Sequence, residues 1–150
     1  MGKKQVTEQN QEEAIKDSEK IEAGLKKEVK VKSSERVPEG RVYISSSYNN
    51  TIITFTNAKG QVIASKSAGA VGFKGTKKST SFAASRVSEA ISNIAKKLGT
   101  EKIEVFVRGI GAGRESAVRT LVAQGLNVVS IKDITPVPHN GVKSRKVRRV

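Results

Sequence analysis

The most restrictive feature of this chain is the order of signals between Ile103 and Ile134. Ile103 to Arg108 alternates apolar and polar residues and predicts a strand, and Gly109-Ile-Gly-Ala-Gly113 predicts a turn. Arg114 to Gln124 then predicts a helix that Gly125 ends, and Val128 to Ile134 predicts another strand. A strand, a helix and a strand in this order form a right-handed crossover, which makes the two strands parallel. The chain is thereby directed to an α/β architecture.

Upstream, three β-rich runs, Arg41 to Ser46, Thr51 to Thr56 and Gln61 to Lys66, are separated by Tyr48-Asn49-Asn50 and by Asn57-Ala58-Lys59-Gly60. They predict an antiparallel meander with tight turns. Ser67 to Lys78 holds Gly69, Gly72 and Gly75 with Lys74, Lys77 and Lys78, has no stable period, and is expected to be an exposed cationic loop. From Thr80 to Leu98 the apolar positions Ala83, Val87, Ala90, Ile91, Ile94 and Leu98 recur at helical spacing. Ser79 or Thr80 can cap this helix and Gly99 can stop it. The expected fold is α/β: a ribonuclease-H-like mixed five-stranded sheet, with a three-strand antiparallel meander plus two parallel strands, covered by two helices.

That domain occupies residues 37–134. Residues 1–36 carry nine basic and eight acidic residues and few large apolar ones, so a flexible, charged and disordered extension is expected there. Thr7 to Glu28 could form a helix, but Ile15, Ile21 and Leu25 give it only a thin apolar stripe. Residues 135–150 form a basic C-terminal tail with five cations in the last eight positions and too little apolar surface to fold alone. A partner is expected to order it.

Charge selects the class of partner. The chain has 28 Lys and Arg against 14 Asp and Glu, a net charge of +14, and after the balanced extension 19 basic residues face six acidic ones. Nucleic acid or an anionic membrane surface fits such an excess. No apolar run approaches the roughly 18 residues a membrane helix needs, and no apolar signal core is present near Met1, so a cytoplasmic, non-membrane protein is expected. The absence of Cys and the single His139 leave little for a transition-metal site, and no cofactor is expected.

Two catalytic readings fail on residues. A dinucleotide motif G-x-G-x-x-G would need glycine where Arg114 stands, and Asp133, about twenty residues on, lacks the further strand-helix units of that fold. A metal-dependent nuclease needs carboxylates converging on ions about 4 Å apart. The six acids after Val37 are Glu39, Glu89, Glu101, Glu104, Glu115 and Asp133, and none falls on the strand expected at Arg41 to Ser46.

The remaining features point to RNA binding. The turn GIGAGR can offer backbone amides of Gly109, Gly111 and Gly113 to a phosphate at a helix start, or it can be a tight turn that needs glycine. Lys66, Lys74, Lys77, Lys78, Arg108 and Arg114 supply cations, with Gly72 and Gly75 permitting close backbone approach. The tail adds His139, Asn140, Lys143, Arg145, Lys146, Arg148 and Arg149, and the first hairpin turn adds Asn49 and Asn50. Only six aromatic residues are present, which favours recognition of RNA shape and backbone over single-strand stacking. Asn140-Gly141 is a possible isoaspartate site at Asn140, because the glycine leaves its nitrogen free to attack the side-chain amide; an ordinary Asn-Gly turn is the alternative.

From about Gly40 to Val150 the motifs YNNTI (Tyr48 to Ile52), SAGAVGFKGTKKST (Ser67 to Thr80), FAAS (Phe82 to Ser85), RGIGAGRE (Arg108 to Glu115) and DITPVPHNG (Asp133 to Gly141) occur in one order. Together they resemble the bacterial form of the universal small-subunit ribosomal protein number eleven. The resemblance implies a ribonuclease-H-like fold without catalytic carboxylates and a structural role in translation and subunit assembly. It further implies contact with small-subunit rRNA on the platform, near the rRNA 3′ end and the mRNA exit path, beside ribosomal proteins six, seven, eighteen and twenty-one. Two departures stand out: Val142 to Lys146 reads VKSRK where many members have a cysteine followed by a proline-containing basic stretch, and the extension before Lys30 is longer than the usual bacterial start. A metal-dependent nuclease and a free-standing RNA chaperone are the alternatives.

Overall fold

In a computed structural model, which describes Ile15, Ser18, Glu19, Ile21, Ala23, residues 36–143, Arg145 and Lys146, the first strand takes the centre of the sheet. The strands are β1 (Glu39–Ser46), β2 (Thr51–Asn57), β3 (Val62–Ser67), β4 (Lys102–Arg108) and β5 (Asn127–Asp133), in the spatial order β3-β2-β1-β4-β5. β1, β2 and β3 pair antiparallel, while β4 runs parallel to β1 and β5 parallel to β4. β1 therefore joins the meander to the crossover unit by pairing with both β2 and β4, which places both halves around one core. Helix α1 (Ala68–Val71), a 3-10 turn (Gly75–Ser79), α2 (Ser81–Lys97) and α3 (Gly113–Ala123) complete the fold.

Alternation decides which face is covered. Val42 and Ile44 of β1, Ile53 and Phe55 of β2, and Ile103, Val105 and Val107 of β4 point to one side and are buried. There they meet Val87, Ile91 and Ile94 of α2 and Ala117 and Leu121 of α3. Each such aliphatic side chain contributes about 1.5–3 kcal/mol by leaving water, which fixes strand register because a one-residue slip would turn the set outward. The opposite face carries no further layer among the described residues. On it Tyr43 and Phe106, partners across β1 and β4, stack with ring centroids 5.0 Å apart. Lys132 Nζ lies 5.6 Å from the Phe106 ring, and Arg41 Nε meets Glu104 Oε2 at 3.2 Å.

Three expectations change. The segment after β3 is not a uniform loop: Ser67 caps α1 by accepting from the Ala70 amide, and Ala68, Val71 and Phe73 are buried, so its apolar residues anchor it while its lysines stay outside. The sheet thus has three helices and a 3-10 turn, where two helices were expected. The first strand begins at Glu39, so one acid does lie on it. The expected ends of α2 hold: of the two candidate caps the chain uses Thr80, its Oγ1 accepting from the Ala83 amide at 3.2 Å, and Gly99 ends the helix with φ +68.

At the N-terminus the described residues Ile15, Ser18, Glu19, Ile21 and Ala23 are helical, with Ser18 Oγ donating to the Ile15 carbonyl at 2.7 Å. Ile21 is half-buried against the core. The expectation of disorder for the rest of residues 1–36 falls outside the described residues. The chain enters the domain where the Val37 amide donates to Leu98 O and the Glu101 amide to Pro38 O. The described residues after Asp133 form neither helix nor strand.

Candidate nucleic-acid interface

Strand register puts every proposed binding segment at one end of the sheet. Ser46 pairs with Thr51, Ile52 with Ser67, Ser45 with Arg108 and Val107 with Asp133. The hairpin turn 47–50, the α1 and 3-10 segment, the glycine turn and the start of the tail therefore emerge together. Both longer helices begin there, and Ser81 Oγ at the start of α2 donates to Ala112 O beside α3 at 3.2 Å. Their positive dipole ends add to the potential. We call this the loop end; the turns at 58–60, 98–101 and 124–126 make up the opposite, turn end.

The loop end gathers Lys66, Lys74, Lys77, Lys78, Arg108 and Arg114, with Lys77 and Lys78 on the last turn of the 3-10 segment. The acids mostly lie elsewhere. Glu39 and Glu101 are at the turn end, Glu104 pairs with Arg41, and Glu89 pairs with Arg86 at 2.9 Å on α2. At the hairpin tip Ser47 Oγ accepts from the amides of Asn49 and Asn50, leaving Asn49 exposed and Asn50 half-buried. Among the described residues, no group of three His, Asp or Glu side chains is placed to hold a metal ion, and no helix is long and apolar enough to cross a membrane.

The glycine turn departs from the open phosphate cradle. The Gly111 amide donates to Ser46 O at 3.0 Å, the Arg114 amide to Gly111 O at 3.3 Å, and the Gly109 amide to Thr135 Oγ1 at 3.0 Å. These amides are already satisfied. A Cβ on Gly109 would lie 2.1 Å from Ser46 O, one on Gly111 2.3 Å from Ser47 O, and one on Gly113 2.5 Å from Thr51 Oγ1. Gly111 and Gly113 are buried, and their missing side chains let this turn seat against β1 and β2. Gly72, at φ +116, ends α1, and Gly75, at φ +55, opens the 3-10 turn.

Arg114 also has internal partners. Its Nη2 donates to Asp133 Oδ2 at 2.6 Å and its Nη1 to Gly109 O. Asp133 Oδ1 accepts from the Thr135 amide at 2.9 Å and the Thr135 hydroxyl at 2.6 Å. The Thr135 hydroxyl, then the Arg114 guanidinium and the Thr135 amide, hold the Asp133 carboxyl well below the usual carboxylate range. The acid set aside as a cofactor residue is thus a structural acceptor.

In the tail, His139, Lys143, Arg145 and Lys146 are exposed, and Arg148 and Arg149 lie outside the described residues. The left-handed residue of the Asn-Gly pair is Asn140, with φ +55, not the glycine. Tyr48, 74% exposed at the hairpin tip, is a surface aromatic that the sequence reading did not assign to the interface. The signal was available: an aromatic residue inside a two-strand turn has no core to reach. Phe82, under the Arg86 guanidinium at 5.3 Å, is a second exposed aromatic on α2's first turn.

A family model described as Ribosomal protein S11 matches residues 40–149. The small ribosomal subunit protein uS11 of Treponema pallidum strain Nichols is 51% identical over 121 residues, covering 81% of this chain and 96% of the relative. The uS11 of a second strain, of Treponema pallidum subsp. pallidum, matches with the same identity and coverage.

Proposed function

We propose a function from the premise that the chain belongs to the ribosomal protein S11 family and is a structural, non-enzymatic protein of the small ribosomal subunit: its loop end binds rRNA. The observation that carries this reading is the convergence of Lys66, Lys74, Lys77, Lys78, Arg108 and the tail cations at one end of the sheet. A phosphate backbone is the ligand such a set fits, because many cations act on many charges at once while condensed counterions leave.

Within that reading, Lys74, Lys77, Lys78 and Arg108 approach phosphates from the loops. His139, Asn140 and Lys143 to Arg149 reach along the rRNA from the tail. Arg114 contributes through its hold on the glycine turn. The hairpin tip brings Tyr48 and Asn49 to the same surface, where a ring and an amide can meet an unstacked base. The position that suits the family resemblance is the subunit platform, near the mRNA exit path and the rRNA 3′ end, beside proteins six, seven, eighteen and twenty-one.

The test has two arms. The protein, expressed in a bacterial host, should co-sediment with small subunits, and the purified chain should bind naked small-subunit rRNA with an affinity that falls steeply with salt. Exchanging Lys74, Lys77 and Lys78 together for glutamine should flatten the plot of log K against log salt by about two to three units, at about 0.7–0.9 ions per phosphate contact. An unaltered slope, or failure to sediment with subunits, refutes the assignment.

A further inference from the structure

We propose that Asp133, an acid on a surface read as binding a polyanion, is a positioning residue that aims the basic tail at the RNA. The inference rests on the RNA-binding reading of the loop end and adds a residue that reading would otherwise treat as unfavourable.

The geometry is a closed ring of four residues. Asp133 ends β5 and receives Arg114 on Oδ2, while its Oδ1 receives both the amide and the hydroxyl of Thr135. The Thr135 hydroxyl, having donated its proton to Asp133, accepts from the Gly109 amide, and Arg114 returns to the Gly109 carbonyl. Donors and acceptors match around the whole circuit with the carboxylate ionised, as an acceptor-only group should be. Three segments are joined: the glycine turn, the start of α3, and the first residue of the tail. The Ile134 amide, bonded to Val107 O at 2.9 Å, continues the sheet up to that joint.

The stiffness of the chain beyond the joint makes the joint's direction matter. Pro136 and Pro138 fix their own φ and hold the residue before each in extended conformations, so Thr135 to Pro138 leaves as a stiff arm. The chain then turns at Asn140, φ +55, and only beyond it come Lys143, Arg145 and Lys146. An angular error at Thr135 is carried to the cations by an arm with few soft torsions. Asp133 holds that angle through two bonds to Thr135, and Arg114 holds Asp133.

Charge alone predicts the opposite sign. Removing a carboxylate near phosphates should tighten binding by Coulomb's law. Positioning predicts that Asp133→Asn, which keeps the shape but loses the charge-assisted bonds, weakens it. Thr135→Val, which changes no charge, should weaken it as well.

The experiment is a double-mutant cycle on the full chain, with naked small-subunit rRNA at fixed salt. One background has the native tail; the other has Lys143, Arg145 and Lys146 changed to glutamine. In the native tail Asp133→Asn and Thr135→Val should each raise Kd about tenfold, and in the neutralised tail less than about twofold, a coupling of the size seen between interacting sites. Asp133→Glu, which restores the charge, should recover part of the Asp133→Asn loss. Equal losses in both backgrounds would reduce the ring to a fold joint and overturn the proposal, as would tighter binding by Asp133→Asn. If the unaltered chain shows no salt-dependent binding, the RNA reading itself fails, and that result is distinct because it precedes any comparison of variants.

Discussion

Gly109 and Gly60 both sit at positive φ, +99 and +85, yet a methyl group would meet different surroundings at each. At Gly60 nothing lies within 4 Å of the added carbon, whereas at Gly109 it would collide with the Ser46 carbonyl. Gly60→Ala should therefore cost only the backbone penalty, about 1–2 kcal/mol. Gly109→Ala adds an overpacking term of about 1–3 kcal/mol against backbone that cannot rotate away. Urea titration of both variants checks the difference, and equal losses would show that β1 can yield. The repeated glycines in GIGAGR were legible as a sign of close approach, but not which body approaches: phosphate and β1 carbonyl demand the same missing Cβ.

The Asp133 carboxyl supplies a pH test at the same scale. Its folded pKa is depressed below the ordinary value, so its ionised form stabilises the fold above that value and the contribution is lost as pH falls through the acid range. The gap in melting temperature between the unaltered chain and Asp133→Asn should be full at neutral pH, begin to narrow near the ordinary carboxylate pKa of about 4, and go on narrowing as pH falls toward the depressed folded-state value. A gap that persists unchanged into acid would remove Arg114 and Thr135 as the cause. Asp133 could not have been assigned this work from sequence, because its partners lie 19 and 2 residues away on different elements.

At the scale of elements, Thr80 joins two that the sequence had separated. Its Oγ1 accepts from the Ala83 amide as the α2 cap and donates to Lys77 O at 2.8 Å, tying the 3-10 turn to the helix. Thr80→Ala should lower stability by about 1 kcal/mol, the usual loss for a capping hydroxyl, and should also weaken rRNA binding by releasing the turn that carries Lys77 and Lys78. Thr80→Ser should retain both properties, and calorimetry with a binding titration distinguishes the two effects. The strands and both long helices were readable because their periods repeat over several residues, whether at spacing two in Ile103 to Arg108 or three and four in Ala83 to Leu98. α1 was not, since a four-residue helix completes about one turn and gives no second period to detect. Its burial pattern, with Ala68 and Val71 inward and Phe73 buried just beyond its end, comes from tertiary contact that glycine spacing does not encode.

Across the described residues the loop-end cations come from separate stretches of the sequence, and their meeting could be inferred only once strand order was known. The cations could be read from the sequence alone; the pairing of β1 with both β2 and β4 brings four separate loops to one place. Removing residues 143–150 should leave thermal unfolding nearly unchanged, because no described residue there is buried. It should lower rRNA affinity and reduce the salt slope by about 0.7–0.9 for each phosphate no longer neutralised. A fall in melting temperature of many degrees would mean that the tail packs on the domain.

The β2–β3 turn at 58–60 lies at the end of the sheet opposite the loop end, exposed and closed by the Gly60 amide bonding to Asn57 O. It is a natural handle. A single cysteine at Lys59 would be the only thiol in the chain, so a maleimide dye could be placed there without competing sites. Attached in this way, the dye would ride on a hairpin at the end of the sheet opposite the surface proposed to bind rRNA, and the arrival of the protein on an assembling subunit could be followed by energy transfer from a labelled rRNA.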